Sequence, residues 1–189
     1  MPELAKISLI GLGEVGSILA EALMALGAEG LKAYDPLFAE AGSKPSRHAA
    51  RLGIETRACA ADAARGAHLV ISAVTAAQAQ AAAEAAAPGL DGGAFFLDLN
   101  SASPGTKAAA GKAVAAAGGR YVEAAVMSPV PGKGLKTPML LGGPHAADFL
   151  KFAGPLGLSA RVFSDRIGQA SAAKMCRSVM VKGTSSAKA

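Results

Sequence analysis

The order of apolar runs along the 189 residues predicts an α/β fold, a doubly wound and mostly parallel sheet covered on both faces by helices. Short apolar runs without polar alternation recur through the chain, as strands buried on both faces require. Stretches with helical spacing of apolar residues separate them, which is the pattern of parallel strands joined by crossovers. The composition suits a close-packed core with few aromatic anchors: 51% hydrophobic and 17% charged, with 46 alanines against six phenylalanines, two tyrosines and no tryptophan. Such a chain lies far from the disordered regime. Its length corresponds to one to one and a half domains.

Residues 6–10 form a short apolar run that stops at Gly11, and from Glu14 the residues Val15, Ile18, Leu19, Ala22, Leu23 and Leu26 recur at helical spacing. Strand, tight turn and helix follow from that change of period. A second strand at 31–34 ends at Asp35-Pro36, where proline stops regular pairing. Further strands are expected at 54–57, 68–73, 94–97 and 121–126, with helices at 46–52, 60–65, 76–87 and 104–117. The alanine-rich 76–87 stretch is a helix and not low complexity, because alanine has the highest helix propensity. Beyond Val126 come a Pro/Gly/Lys loop at 128–136, a strand at 138–141, a helix at 144–153 and a strand at 160–163. A last helix begins near Gly168. The expected division is one domain over 1–165, the start of a linking helix over 166–183, and a small polar tail over 184–189.

Several function classes are disfavoured by composition. Cys59 and Cys176 lie far apart in sequence and three histidines are scattered, so neither a disulfide scaffold nor a metal centre is expected. The net charge of +5 lacks the basic face with interleaved aromatics that nucleic-acid binding needs. Lys44, Arg47, His48 and Arg51 read as a solvated helix face. No run approaches the length of a membrane helix. Glu14 and Glu21 interrupt the apolar N-terminal segment, which also lacks a signal peptide's basic flank. A soluble, reduced, cytoplasmic protein with no membrane or nucleic-acid partner is expected.

Gly11-Leu12-Gly13-Glu14-Val15-Gly16 is a GxGxxG turn between an expected strand and helix, and Asp35 ends the next strand 19 residues after Gly16. This context makes it a dinucleotide-binding fingerprint on a Rossmann-type fold. Gly11 permits the turn, Gly13 lets backbone approach a pyrophosphate, and Gly16 lets helix pack on strand, while the helix N-terminus offers free N–H groups to the anion. Asp35 would accept hydrogen bonds from the adenosine ribose and repel a 2′-phosphate. NAD is therefore favoured within the NAD(P) pair, although Lys44 and Arg47 are close enough in sequence to reach a phosphate. Val74 and Thr75 complete the expected cofactor-binding set.

Asp98-Leu99-Asn100-Ser101-Ala102-Ser103-Pro104 lies at the carboxyl end of the fifth expected strand, where open α/β sheets bind ligands. Ser103 is equally well explained as a helix N-cap with Pro104 at N1. Asn100 and Ser101 are harder to explain as caps and are candidate substrate-binding groups. In the last helix, Lys174 shares a face with Ser171, Ser178 and Lys182. Spacing leaves two readings of Lys174: an ordinary exposed lysine, or one desolvated towards a pKa useful for proton transfer.

The glycine turn, the Asn-Ser-Ala-Ser-Pro turn, the Glu123-Ala-Ala-Val segment and the spacing from Gly168 to Lys174 occur in the order seen in the β-hydroxyacid dehydrogenase family, which includes 3-hydroxyisobutyrate and 6-phosphogluconate dehydrogenases. The chain resembles that family over nearly its whole length to Lys182. The resemblance implies that Lys174 is the catalytic lysine, that Ser101 and its neighbours bind substrate, and that the 126–130 loop lines the pocket. It implies NAD(P)-dependent oxidation of a small anionic hydroxy acid, or reduction of its keto form.

Three departures from the family pattern stand out. Val126-Met127-Ser128-Pro129 replaces the usual Val-Ser-Gly-Gly, leaving Ser128 as the candidate substrate contact. Arg177 replaces the asparagine three residues after the lysine and offers a fixed cation for a carboxylate or phosphate. With Lys133 and Lys136, Arg177 is expected to flank the pocket. Family members also continue into a helical domain that completes the site and makes a homodimer, so the polar 184–189 end is expected to mark a truncation. The remaining functional alternatives are a non-catalytic dinucleotide-binding module and an inactive fragment.

Overall fold

Residues 5–186 are described in the computed structural model, with side chains to Ser178. One eight-stranded sheet has the order β3-β2-β1-β4-β5-β6-β7-β8. Its strands are β1 (Ile7–Ile10), β2 (Lys32–Tyr34), β3 (Glu55–Thr56), β4 (Leu69–Ser72), β5 (Phe95–Asp98), β6 (Arg120–Val126), β7 (Met139–Gly142) and β8 (Ala160–Ser164). All neighbouring pairs are parallel except β6 with β7. The expected α/β sheet is thus present, with the chain switching direction between β1 and β4. Ligands of such sheets bind at the carboxyl ends beside that switch.

The helices are α1 (Glu14–Ala25), α2 (Lys44–Leu52), α3 (Ala60–Ala64), α4 (Ala79–Ala86), α5 (Pro104–Ala116), α6 (Ala146–Phe152) and α7 (Gln169–Ser186). One face of the sheet buries Leu9, Leu69, Ile71, Phe95 and Leu97 against Leu19 and Leu23 of α1, Ala49 of α2 and Phe149 of α6. The other face packs Val70, Phe96 and Tyr121 against alanines of α3, α4 and α5. Side chains this small allow close helix approach, so the alanine-rich composition is spent on that second layer.

Several boundaries differ from the sequence expectation. The strand expected at 54–57 shortens to Glu55–Thr56 at the sheet edge. The 76–87 helix splits into a 3₁₀ turn at Ala76–Gln78, α4, and a second 3₁₀ turn at Ala87–Gly89. Pro88 explains the later break, since it lacks the N–H that would continue the ladder. The loop expected at 128–136 contains a 3₁₀ turn at Gly134–Lys136. Helix α7 runs to Ser186, into the segment expected to be a tail, while 187–189 lie outside the described residues. Among the described residues no helix is long and apolar enough to cross a membrane.

Register places polar side chains where the chemistry is expected. Ile10 pairs with Ser72, Ser72 with Asp98, and Asp98 with Glu123. Ser72, Asp98 and Glu123 therefore stand side by side across three strands, all fully buried. A strand's side chains alternate between faces, so these three point to the layer that holds α5.

Candidate active site

The glycine turn is built for close backbone approach. Gly11 has φ +92°, a left-handed conformation that favours glycine. A Cβ on Gly16 would collide with the Gly11 carbonyl oxygen, so α1 can sit on the turn only if residue 16 is glycine. A Cβ on Gly13 would meet nothing within 4 Å, leaving open space over the turn. Gly13 is also the N-cap of α1 and supplies no side-chain cap. Unpaired N–H groups at the start of a twelve-residue helix beside an open cradle fit a pyrophosphate. Glu14 and Val15 belong to this first turn, with Glu14 exposed and Val15 half-buried.

The Leu12 side chain is buried in the core and its peptide is gripped on both sides. Its N–H donates to Asp35 Oδ2 at 2.9 Å, and its carbonyl lies 2.9 Å from His48 Nδ1. Asp35 Oδ1 also accepts the Leu37 N–H at 3.0 Å, so this carboxylate braces both the glycine turn and its own loop. Bracing leaves lone pairs for a ribose hydroxyl, because an ionised carboxylate has about four acceptor sites. Arg47 donates to the Gly42 carbonyl, which ties it into its own loop. The His48 ring therefore does not lie on the expected solvated basic face but is the second clamp on Leu12.

Val74 and Asn100 join the ends of two strands. The Val74 N–H donates to Asn100 Oδ1 at 2.7 Å, and Asn100 Nδ2 donates to Ser72 Oγ at 2.9 Å. The Asn100 amide is thereby committed to bracing β4 against β5, although the residue still borders a cavity. Thr75 is exposed and begins the 3₁₀ turn that follows. Ser103 is the N-cap of α5, accepting the Thr106 N–H at 3.2 Å, and Pro104 is in the first turn.

Lys174 Nζ donates to Ser101 Oγ at 2.8 Å, joining two candidates 73 residues apart. Helix α7 is held for this contact by Glu123, whose Oε2 accepts the Gly168 N–H at 2.6 Å and whose Oε1 accepts the Ser171 N–H at 2.7 Å. A buried carboxylate at a helix N-terminus satisfies two otherwise orphaned donors and complements the helix dipole. Two cavities meet at the Lys174–Ser101 pair. One, of about 430 Å³, is bordered by Val15, Leu99 and residues 126–131, which include Ser128. The other, of about 370 Å³, lies between the 100–103 turn and α7 and is bordered by Lys107, Ser171, Met175 and Ser178. Lys174 and Ser101 border both.

Burial lowers the Lys174 pKa, and the Lys107 charge lowers it further. Lys107 was not singled out in the sequence. It is fully buried, with Nζ 2.9 Å from Asp98 Oδ1 and 3.0 Å from the Asp98 carbonyl oxygen. Tyr121 donates its hydroxyl to Asp98 Oδ2 at 2.6 Å. Burial, then the Asp98 charge, push the Tyr121 pKa far up, so the phenol stays protonated as a donor. One signal existed: Lys107 is in helical register with the buried residues Ala110, Gly111 and Val114.

Arg177 is exposed and donates to the Met127 carbonyl at 3.2 Å, while Lys133 donates to Ser128 Oγ at 3.0 Å. Both cations therefore bond residues that border the larger cavity. Lys136 does not join them; its Nζ donates to the Gly157 carbonyl at 2.8 Å on the far side of the 3₁₀ turn. The Lys182 side chain lies outside the described residues. Among the described residues no group of three or more His, Cys, Asp or Glu could hold a metal ion.

A dinucleotide cradle next to a lysine–serine pair defines the class of domain. Residues 6–153 match the model of the NAD binding domain of 6-phosphogluconate dehydrogenase, and the chain belongs to that family. A conserved hypothetical protein from Sinorhizobium meliloti 1021 is 38% identical, with TM-score 0.87 over 97% of this chain and 62% of that one. A conserved protein of unknown function, described as structurally similar to 3-hydroxyacid dehydrogenases, is 30% identical, with TM-score 0.81 over 95% of this chain and 66% of that one. The 3-hydroxyisobutyrate dehydrogenase of Mycobacterium tuberculosis, solved with L-serine, shares the fold at 19% identity, with TM-score 0.81 over 94% of this chain and 60% of that one. The chain thus spans under two thirds of the length of these structures. No curated protein matches it in sequence.

Proposed function

We propose that this chain carries the cofactor cradle and the acid–base lysine of an NAD(P)-dependent dehydrogenase or reductase that acts on a small anionic hydroxy acid or its keto form. The observation that carries this reading is the 2.8 Å contact between Lys174 Nζ and Ser101 Oγ, on the border of a cavity that reaches Val15 of the glycine turn. Gly11, Gly13 and Gly16 with the first turn of α1 would hold the pyrophosphate, and Asp35 the adenosine ribose, which favours NAD over NADP. The bound nicotinamide supplies a two-electron hydride acceptor or donor. In oxidation, neutral Lys174 would take the hydroxyl proton as the carbonyl forms. In reduction, charged Lys174 returns that proton. Ser101 orients the lysine. Ser128 bonds the substrate, and Arg177 and Lys133 attract its anionic group, since Arg can pair a carboxylate or phosphate through two parallel bonds. The exposed, unpaired Cys59 and Cys176 fit a reducing compartment such as the cytoplasm.

The test compares Lys174→Ala with the unmodified chain in NADH fluorescence titration and in NAD⁺ reduction with a panel of hydroxy acids, sugar-acid phosphates and neutral alcohols. The expected result is a rate loss on the order of a hundredfold or more with dinucleotide affinity within about twofold. Tight NADH binding without turnover on any anion would reduce the reading to a dinucleotide-binding module. Turnover unchanged in Lys174→Ala would return that lysine to the ordinary helix surface.

A further inference from the structure

We propose that Lys107 is a positioning residue for the reaction: its ammonium, locked against Asp98 beneath the site, disfavours protonation of Lys174 and so maintains the free amine that accepts a proton. The inference rests on the reading of Lys174 as the acid–base group.

Burial lowers the Lys107 pKa, while the Asp98 charge and hydrogen bond and the Glu123 charge raise it, and the ion pair with Asp98 holds the ammonium in place. Two of its three N–H donors go to Asp98, one to a carboxylate oxygen and one to the backbone carbonyl. Asp98 also accepts the Tyr121 hydroxyl and the Asn100 N–H, the latter at 2.9 Å from Oδ1. Lys107 borders the smaller cavity together with Lys174, whereas Asp98 does not. Of the buried ion pair, Lys107 is thus the member that shares a cavity border with Lys174, and Asp98 is hydrogen-bonded by Lys107, Tyr121 and Asn100. Unlike charges screened by water, a pair held in a dry interior acts strongly on its neighbours.

Among the described residues no carboxylate forms an ion pair with Lys174. From β6, Glu123 bonds the Gly168 and Ser171 amides. Strand β7, Met139–Gly142, has no titratable residue, and the nearest charged residues of β8 and its following turn are Arg161, Asp165 and Arg166. On α7 itself, Cys176 and Arg177 are exposed, and Arg177 is bonded to the Met127 carbonyl. The described partner of Lys174 is the Ser101 hydroxyl, which is neutral. The lowered Lys174 pKa, with burial as first cause and Lys107 as second, agrees with this arrangement. A lysine near its ordinary value of about 10.4 would be almost wholly charged at neutral pH and unable to serve as a base.

The experiment labels the full chain by reductive ¹³C-methylation and follows the Lys174 resonance by NMR against pH, with the signal assigned through its absence in Lys174→Arg. The variants are Lys107→Arg, the double variant Asp98→Asn with Lys107→Met, and Lys107→Gln, whose amide still donates to Asp98. In Lys107→Arg the Lys174 midpoint should stay within about 0.3 unit, because the charge is kept. In the double variant and in Lys107→Gln it should rise by about one unit. Whichever neutral variant folds decides the matter, and an unchanged Lys174 midpoint in it overturns the proposal. Turnover retained in Lys174→Arg would instead remove the acid–base reading while leaving the Lys107–Lys174 coupling measured.

Discussion

Glu123 should be the residue whose loss unseats α7. Its carboxylate is fully buried and accepts two short hydrogen bonds from the N-terminus of α7, at 2.6 and 2.7 Å. Glu123→Ala removes both and leaves two N–H groups without partners. Hydrogen bonds to a charged group contribute about 1.5–3 kcal/mol each. Removing the carboxylate also removes its own desolvation, so the loss is set by two unsatisfied N–H groups at about 1–3 kcal/mol each, about 2–6 kcal/mol together. For a domain of this size that is a fall in Tm of roughly 4–24 °C. Glu123→Gln should cost less, about 1–3 kcal/mol, because its carbonyl still accepts one N–H while its NH₂ opposes the other. The assay is thermal unfolding combined with hydrogen exchange at the Gly168 and Ser171 amides, which should lose protection together. NADH affinity should change little, because Asp35 and His48 brace the glycine turn independently of α7. A Glu123→Ala protein with Tm within about 2 °C of the unmodified chain would refute the helix-clamp reasoning.

Gly16→Ala should weaken both folding and dinucleotide binding, because the added methyl collides with the Gly11 carbonyl; differential scanning calorimetry and NADH titration of the same sample would check it. Asp35→Asn should loosen both dinucleotides, since one of the Leu12 and Leu37 bonds is lost, while narrowing the preference for NADH over NADPH. Competitive fluorescence titration reads both effects, and tighter NADPH binding by the unmodified chain would contradict the role given to Asp35. Tyr121→Phe should destabilise the protein most below the ordinary tyrosine pKa of about 10. Its folded-state pKa is raised, so the hydroxyl's contribution is fully present below that value and is lost as pH rises above it, where the unfolded phenol ionises. Urea unfolding of both proteins from pH 7 to 11 should show their stability difference shrinking above about pH 10.

Local chemistry made much of this molecule legible in its sequence. A change of hydrophobic period from strand to helix, punctuated by glycines, is written within a dozen residues, so the turn over Gly11–Gly16 and the alternation of strands and helices could be read directly. The helix over Pro104–Ala116 was likewise announced by Ser103-Pro104. Its buried face was not, because alanines and glycines on all sides leave no apolar stripe to contrast with a polar one. Lys107 lies on that buried face. The antiparallel turn of β7 and the row of Ser72, Asp98 and Glu123 depend on which strands become neighbours, and the crossovers decide that over long stretches of chain.

Fold class, the dinucleotide turn and the residue types available for chemistry are properties of short segments and so are legible along the chain. How those residues act on one another depends on long-range contacts. Asp35 braces the Leu12 peptide across 23 residues, Asn100 ties two strand ends, and Glu123 reaches 45 residues to seat α7. Lys174 meets Ser101 over a separation of 73, with a buried ion pair beneath. Charge acts through distance and burial, and neither is encoded locally: an identical lysine keeps its ordinary pKa in water and has it lowered where it is part-buried beside a second cation.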